Sequence, residues 1–169
     1  LERKSFTNLR GYLMIEKAII LAAGKGTRLR PLTYGIPKPL LPVKGIPMVN
    51  WILQNITSYN GVKEVYVAIP GLTSDDFMDR VLMNAQGICI DSYFRNLNST
   101  VKIKTVPTFQ RETGGDLHHV LEEAAAMNET VIVCNGDVIT DLKLSEMVEY
   151  HEKARKLLDV AATIFLFQV

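Results

Sequence analysis

No apolar run in this 169-residue sequence reaches the roughly eighteen residues that a membrane-spanning helix needs. Cysteine is scarce. Cys89 and Cys134 stand alone, without a metal-ligand spacing, and read as two free thiols of a reducing, cytoplasmic compartment. Neither sign of charge dominates: 19 Lys and Arg against 18 Asp and Glu leave a net charge of +1. No global field therefore draws the chain to nucleic acid or to an anionic membrane, and any anion site must be a local cluster. The opening LERKSFTNLRGYL lacks both a long apolar segment and a small-residue cleavage site, which argues against a secretory leader. Residues 1–13 read as an extension ahead of Met14. There is no internal repeat, linker or low-complexity tract. What remains is ordinary for a globular domain with a sizeable core, 47% hydrophobic and 22% charged.

One absence is local. LAAGKGTRLRPLTYGIPKPLLPV, from Leu21 to Val43, contains no acid but carries Lys25, Arg28, Arg30 and Lys38. Gly24 and Gly26 let backbone N–H groups approach an anion with no Cβ in the way. Arg28 supplies a planar fork that matches phosphate oxygens. Lys38 sits between Pro37 and Pro39, whose fixed φ angles stiffen the backbone that presents it. The combination suits a polyphosphate. It is not a P-loop, because Gly24-Lys25-Gly26-Thr27 has the wrong order and spacing. It is a weak dinucleotide fingerprint, because Leu29 stands where the third glycine belongs.

Around this stretch, strand-like and helix-like segments alternate. Lys17–Ala23, Glu64–Pro70 and Thr130–Asp137 are short apolar runs of the kind buried on both faces of a parallel sheet. Val101–Pro107 alternates, and DVAATIFLFQV at the end is again strand-like. Helical stripes are expected at Val49, Ile52, Leu53 and Ile56 behind Pro47. A second is expected at Phe77, Val81 and Leu82 behind Ser74-Asp75-Asp76. A third is expected at Leu117, Val120, Leu121, Ala124 and Ala125 behind a Gly114-Gly115 turn, and a fourth helix over about Ser145–Leu157. Residues 87–100 fit either a helix or irregular chain. The pattern predicts a Rossmann-like, layered α/β/α domain with a mostly parallel sheet. Ligands bind such sheets at the carboxyl ends of the strands, where both the glycine-rich loop and Asn135-Gly136-Asp137 fall.

The longer pattern, Gly24 to Thr33 followed by Pro37-Lys38-Pro39-Leu40-Leu41-Pro42, resembles the signature of the sugar-1-phosphate nucleotidyltransferases, or nucleotide-sugar pyrophosphorylases. Asn135-Gly136-Asp137 resembles that family's metal-binding element, and Glu112-Thr113-Gly114-Gly115-Asp116-Leu117 its G-T-A-G-A-L segment. The loop and Thr113-Gly114-Gly115 look similar to mannose-1-phosphate guanylyltransferases and glucose-1-phosphate thymidylyltransferases. The resemblance implies an enzyme joining a nucleoside triphosphate to a sugar 1-phosphate. The backbone of Leu21, Ala22, Ala23 and Gly24 would line base and ribose. Gly26, Thr27 and Arg28 would hold the triphosphate, and Arg28 and Lys38 would be catalytic. Gly114 and Gly115 would frame base or sugar, and Asp137 would ligate Mg²⁺. No nucleic acid or membrane partner is implied, and a homo-oligomer is compatible.

Two departures qualify the resemblance. Glu112 stands where the family has glycine, and Asp116 replaces a small residue, which leaves base and sugar open. The family's catalytic domains also extend further, so residues 14–169 read as the nucleotide-binding part of a domain, truncated on its C-terminal side and incomplete for catalysis alone. A non-catalytic, regulatory or nucleotide-sensing relative is the alternative, against which the presence of Arg28, Lys38 and Asp137 counts. The adjacent His118 and His119 point in different directions on a helix and form no zinc spacing. His151 reads as packed in the core.

Overall fold

A computed structural model describes residues 6–7, 13–71, 76–109 and 112–166. Its centre is a four-stranded sheet of β1 (Lys17–Leu21), β2 (Glu64–Pro70), β3 (Lys102–Thr108) and β4 (Ile132–Asn135), in the order β3-β2-β1-β4. All three pairings are parallel. Between the strands run α1 (Met48–Ser58), α2 (Phe77–Arg95) and α3 (Glu112–Glu123), and α4 (Leu144–Leu158) follows β4. Phe6–Thr7, in the stretch read as an extension, pairs antiparallel with Leu13–Met14, where that stretch meets the domain.

β1 and β2, at the centre of the sheet, are mostly apolar because both faces are covered. Ala18 and Ile20 of β1, with Val65, Val67 and Ile69 of β2, pack with residues of α1, α2 and α4 on one face. Ile19, Tyr66 and Ala68 point to the other face and pack with Val106 and with Val120 of α3. Ile19 and Ile20 are fully buried, which contributes about 1.5–3 kcal/mol each. The layered α/β/α expectation is met.

α1 buries the expected stripe, Val49, Ile52, Leu53 and Ile56. α2 differs. The expected start at Ser74-Asp75 lies outside the described residues, and Asp76 caps the helix by accepting from the Asp79 amide at 2.8 Å. Its buried stripe is Met83, Gln86, Gly87, Ile90 and Phe94, so the stretch beginning at residue 87 is helical as far as Arg95. Phe77 and Val81 are exposed, because the buried face of α2 runs through Met83, Gln86, Ile90 and Phe94 instead. Gly114 and Gly115 lie inside the first turn of α3 rather than in a turn before it.

The run at the end of the chain is not a strand over the described residues 159–166. A strand needs a ladder partner. Here Ile164 and Leu166 stay exposed, and Thr163 Oγ1 instead lies 2.9 Å from Nδ1 of the buried His151. Burial, helped by Arg155, pushes the His151 imidazole below its ordinary pKa. Cys89 and Cys134 are both free, and burial pushes the Cys134 thiol up to about 11. Among the described residues no helix is long and apolar enough to cross a membrane.

Candidate functional site

The strand order carries its own pointer. From β1 the chain steps outward to β2 and β3, then returns to place β4 on the opposite side of β1. The carboxyl ends of β1 and β4 therefore lie side by side on one rim, where ligands bind in such sheets. A cavity of about 390 Å³ lies there, within the usual size of a small-ligand site. Its walls are Leu21, Ala22, Ala23, Gly24 and Lys25 after β1, Lys38 and Pro39, Ala68 from β2, Glu112, Thr113 and Asp116 from α3, and Asn135, Gly136 and Asp137 after β4.

Two backbone contacts set this rim. The Ala22 amide donates to the Ala68 carbonyl at 3.0 Å, and the Gly136 amide to the Leu21 carbonyl at 2.8 Å. Gly136 is required by close approach. A Cβ there would stand 2.8 Å from the Leu21 carbonyl oxygen and 3.0 Å from Ala22. The glycine lets β4 run tight against β1 and delivers Asp137 to the cavity. Lys38 reaches the same point from a single 3₁₀ turn, Lys38–Leu40, and its Nζ donates to Asp137 Oδ2.

The loop between them turns at Gly26, whose φ of +62° is a left-handed conformation that side chains disfavour. A Cβ would also meet Thr33 Cγ2 at 2.9 Å. Thr33 is buried, and its hydroxyl donates to the Gly26 carbonyl at 2.9 Å. The Thr33 carbonyl in turn accepts from Nε2 of the buried Gln86 of α2 at 2.7 Å. Gln86→Met keeps the volume but strands that carbonyl. It is expected to destabilise the protein by about 1–3 kcal/mol, read from a denaturant titration.

The positive charge that has no local counter-ion in sequence has a distant one in space. Lys25 Nζ lies 2.8 Å from Asp79 of α2, and Arg30 lies 3.7 Å from the same carboxylate. The hydrogen bond and charge of Lys25 hold the Asp79 carboxyl below its ordinary pKa. Arg30 also sits over the exposed Tyr34 ring at 5.0 Å. Arg28 is exposed and, among the described residues, has no hydrogen-bond or ion-pair partner.

Of the residues singled out from sequence, the structure gathers Leu21, Ala22, Ala23, Gly24, Lys38 and Asp137 around one cavity. Gly26, Thr27 and Arg28 lie on the turn beside it and do not form its wall, and neither do Gly114 and Gly115 of α3. Lys25, Pro39, Ala68, Glu112, Thr113, Asp116, Asn135 and Gly136 join the wall without having been assigned to a site. Most flank the motifs already noted, but Ala68 enters only through its register opposite Leu21. Glu112 has φ +61°, a conformation that costs a non-glycine residue on the order of 1 kcal/mol. That explains why glycine suits this position in the resembling family. Asp116, one turn further on, is buried against the cavity. A larger groove of about 710 Å³ along β4 and α4 contains none of the loop cations.

Known proteins are similar to this chain in sequence and in fold. The Nucleotidyl transferase family profile matches residues 17–169. The chain is 34% identical over 144 residues to the human mannose-1-phosphate guanylyltransferase regulatory subunit alpha, covering 82% of this chain and 31% of that one. It is 30% identical over 141 residues to mannose-1-phosphate guanylyltransferase of Mycobacterium tuberculosis, covering 82% and 34%. The chain thus spans about a third of the length of these relatives. Among solved structures, a UDP-glucose pyrophosphorylase complexed with UDP-glucose superposes with a TM-score of 0.63 at 22% identity, covering 84% of this chain and 55% of that one, which shows the shared fold. With a match that runs from the first residue of β1 to the end of the chain, this protein belongs to the nucleotidyl transferase family.

Proposed function

We propose that this chain forms the triphosphate-binding part of a nucleotidyltransferase that joins a nucleoside triphosphate to a sugar 1-phosphate. A phosphate oxygen of the sugar 1-phosphate attacks the α-phosphorus. The bond from that phosphorus to the bridging oxygen breaks, pyrophosphate leaves, and an NDP-sugar forms. The observation that carries this reading is the pairing of Lys38 with Asp137 at the mouth of a cavity whose other wall is the glycine-rich loop.

Two anions must meet in this reaction, so most of the work is positioning and charge stabilisation. The open backbone of Leu21–Gly24 gives the nucleoside a flat wall. Lys38, on the cavity wall, is assigned to the charge that develops on the α-phosphate. Arg28, exposed on the turn beside the cavity and without a hydrogen-bond or ion-pair partner among the described residues, is assigned to the outer phosphates. Among the described residues no group of three His, Cys, Asp or Glu side chains could hold a metal by itself. Asp137 nevertheless fits Mg²⁺, which characteristically takes one or two carboxylates and completes its shell with substrate phosphates and water. Bound there, Mg²⁺ would neutralise phosphate charge.

The test is the thermal midpoint with each nucleoside triphosphate, with and without Mg²⁺, and with NAD as control. A triphosphate at about a hundred times its dissociation constant stabilises by about 2.7 kcal/mol, or roughly 5–10 °C. Asp137→Ala is expected to remove the part of the shift that depends on Mg²⁺. A shift with NAD and none with any triphosphate would reject the proposal.

A regulatory, nucleotide-sensing subunit is the second reading. It is favoured by the 34% identity to proteins named as regulatory subunits and by the strained Glu112 on the cavity wall. It predicts triphosphate binding without NDP-sugar formation by the intact protein.

A further inference from the structure

Both lysines on the cavity wall are already neutralised by carboxylates. Lys38 is held by Asp137, inside the cavity. Lys25 is held by Asp79, which belongs to α2 and lies outside the cavity wall. The Lys25–Asp79 pair is about one-third exposed, so it is accessible to a competing anion. A second donor waits beside the same carboxylate. Arg30 Nη2 is 3.7 Å from Asp79 Oδ1, and Arg30 Nε is buried without a hydrogen-bond partner among the described residues.

We propose that Asp79 is an internal counter-ion which an entering polyphosphate displaces from Lys25. This inference rests on the triphosphate reading of the cavity. In the free protein Asp79 draws the Lys25 ammonium toward α2. When a polyphosphate enters, its oxygens take Lys25, and Arg30 closes onto the carboxylate that Lys25 leaves. Asp79 is therefore never left uncompensated: the pairs it makes with Lys25 and Arg30 become one pair of Lys25 with phosphate and one closer pair of Arg30 with Asp79. Asp79 does not touch the ligand. It acts through Lys25 as a positioning residue that weakens polyphosphate binding.

The test is calorimetric titration of the intact protein with inorganic tripolyphosphate, which carries the charge without the base. Asp79→Asn is expected to bind about three- to fivefold more tightly, the scale of a partly exposed ion pair. Asp79→Glu is expected to stay near the parent affinity. The gain must vanish on a Lys25→Met background, where Asp79→Asn should change nothing. Asp79→Ser removes the same charge and serves if the asparagine variant folds poorly. Unchanged or weaker binding by the asparagine or serine variant overturns the inference, and so does a gain that persists without Lys25. If tripolyphosphate binds neither parent nor variants, the triphosphate reading fails with it. If the parent binds and the substitutions have no effect, this inference alone fails.

Discussion

Lys38→Ala is expected to lower turnover of the intact protein by at least about tenfold, toward the hundredfold loss that follows removal of one preorganised charge donor from a reacting centre. The fold should survive. Lys38 and Asp137 are both partly exposed, so the charge left on Asp137 remains solvated rather than buried. The expected signature is a fall in kcat with the thermal midpoint within a degree or two of the parent. Lys38→Arg should not restore activity, because the planar guanidinium cannot place a point charge where the ammonium sits. Parent-like turnover in Lys38→Ala would remove the lysine from the reaction. If the parent itself makes no NDP-sugar, the regulatory reading gains.

Gly136→Val is expected to combine lost stability with lost ligand binding. The added Cβ stands 2.8 Å from one backbone atom and 3.0 Å from another, and backbone held in a parallel ladder cannot step aside as a flexible side chain would. The overpacking should cost at least about 2 kcal/mol, lowering the melting temperature by roughly 4–8 °C. Gly136→Ala should already show much of that loss, since the clash is with Cβ itself. Separating β4 from β1 also moves Asp137 relative to Lys38. A triphosphate-induced thermal shift should therefore shrink even at temperatures where the variant is folded. A valine variant with parental stability would mean that the two strand ends part at little cost.

The elements whose causes are local could be read from the chain. Apolar runs too short for helices and flanked by turn residues read as buried parallel strands, and the α1 stripe at Val49, Ile52, Leu53 and Ile56 followed from helical spacing alone. Gly24, Lys38 and Asp137 were legible because their chemistry is written in contiguous motifs, and both motifs fall at strand ends that a parallel sheet must bring to one rim. The helix over residues 87–95 and the exposure of Phe77 were not legible. Whether an apolar residue is buried depends on which element lies opposite, and Phe77 lies off the face of α2 that meets the core.

The charge balance of the loop and the outline of the cavity come from the packing of distant segments. Asp79 meets Lys25 across 54 residues, and Ala68 enters the wall through its register with Leu21. The physical reason is the same in each case. A backbone turn or a helical stripe is set by neighbours within a few residues, whereas ion pairs, strand registers and close backbone approaches are set by the packing of distant segments, and no spacing in the chain encodes them directly.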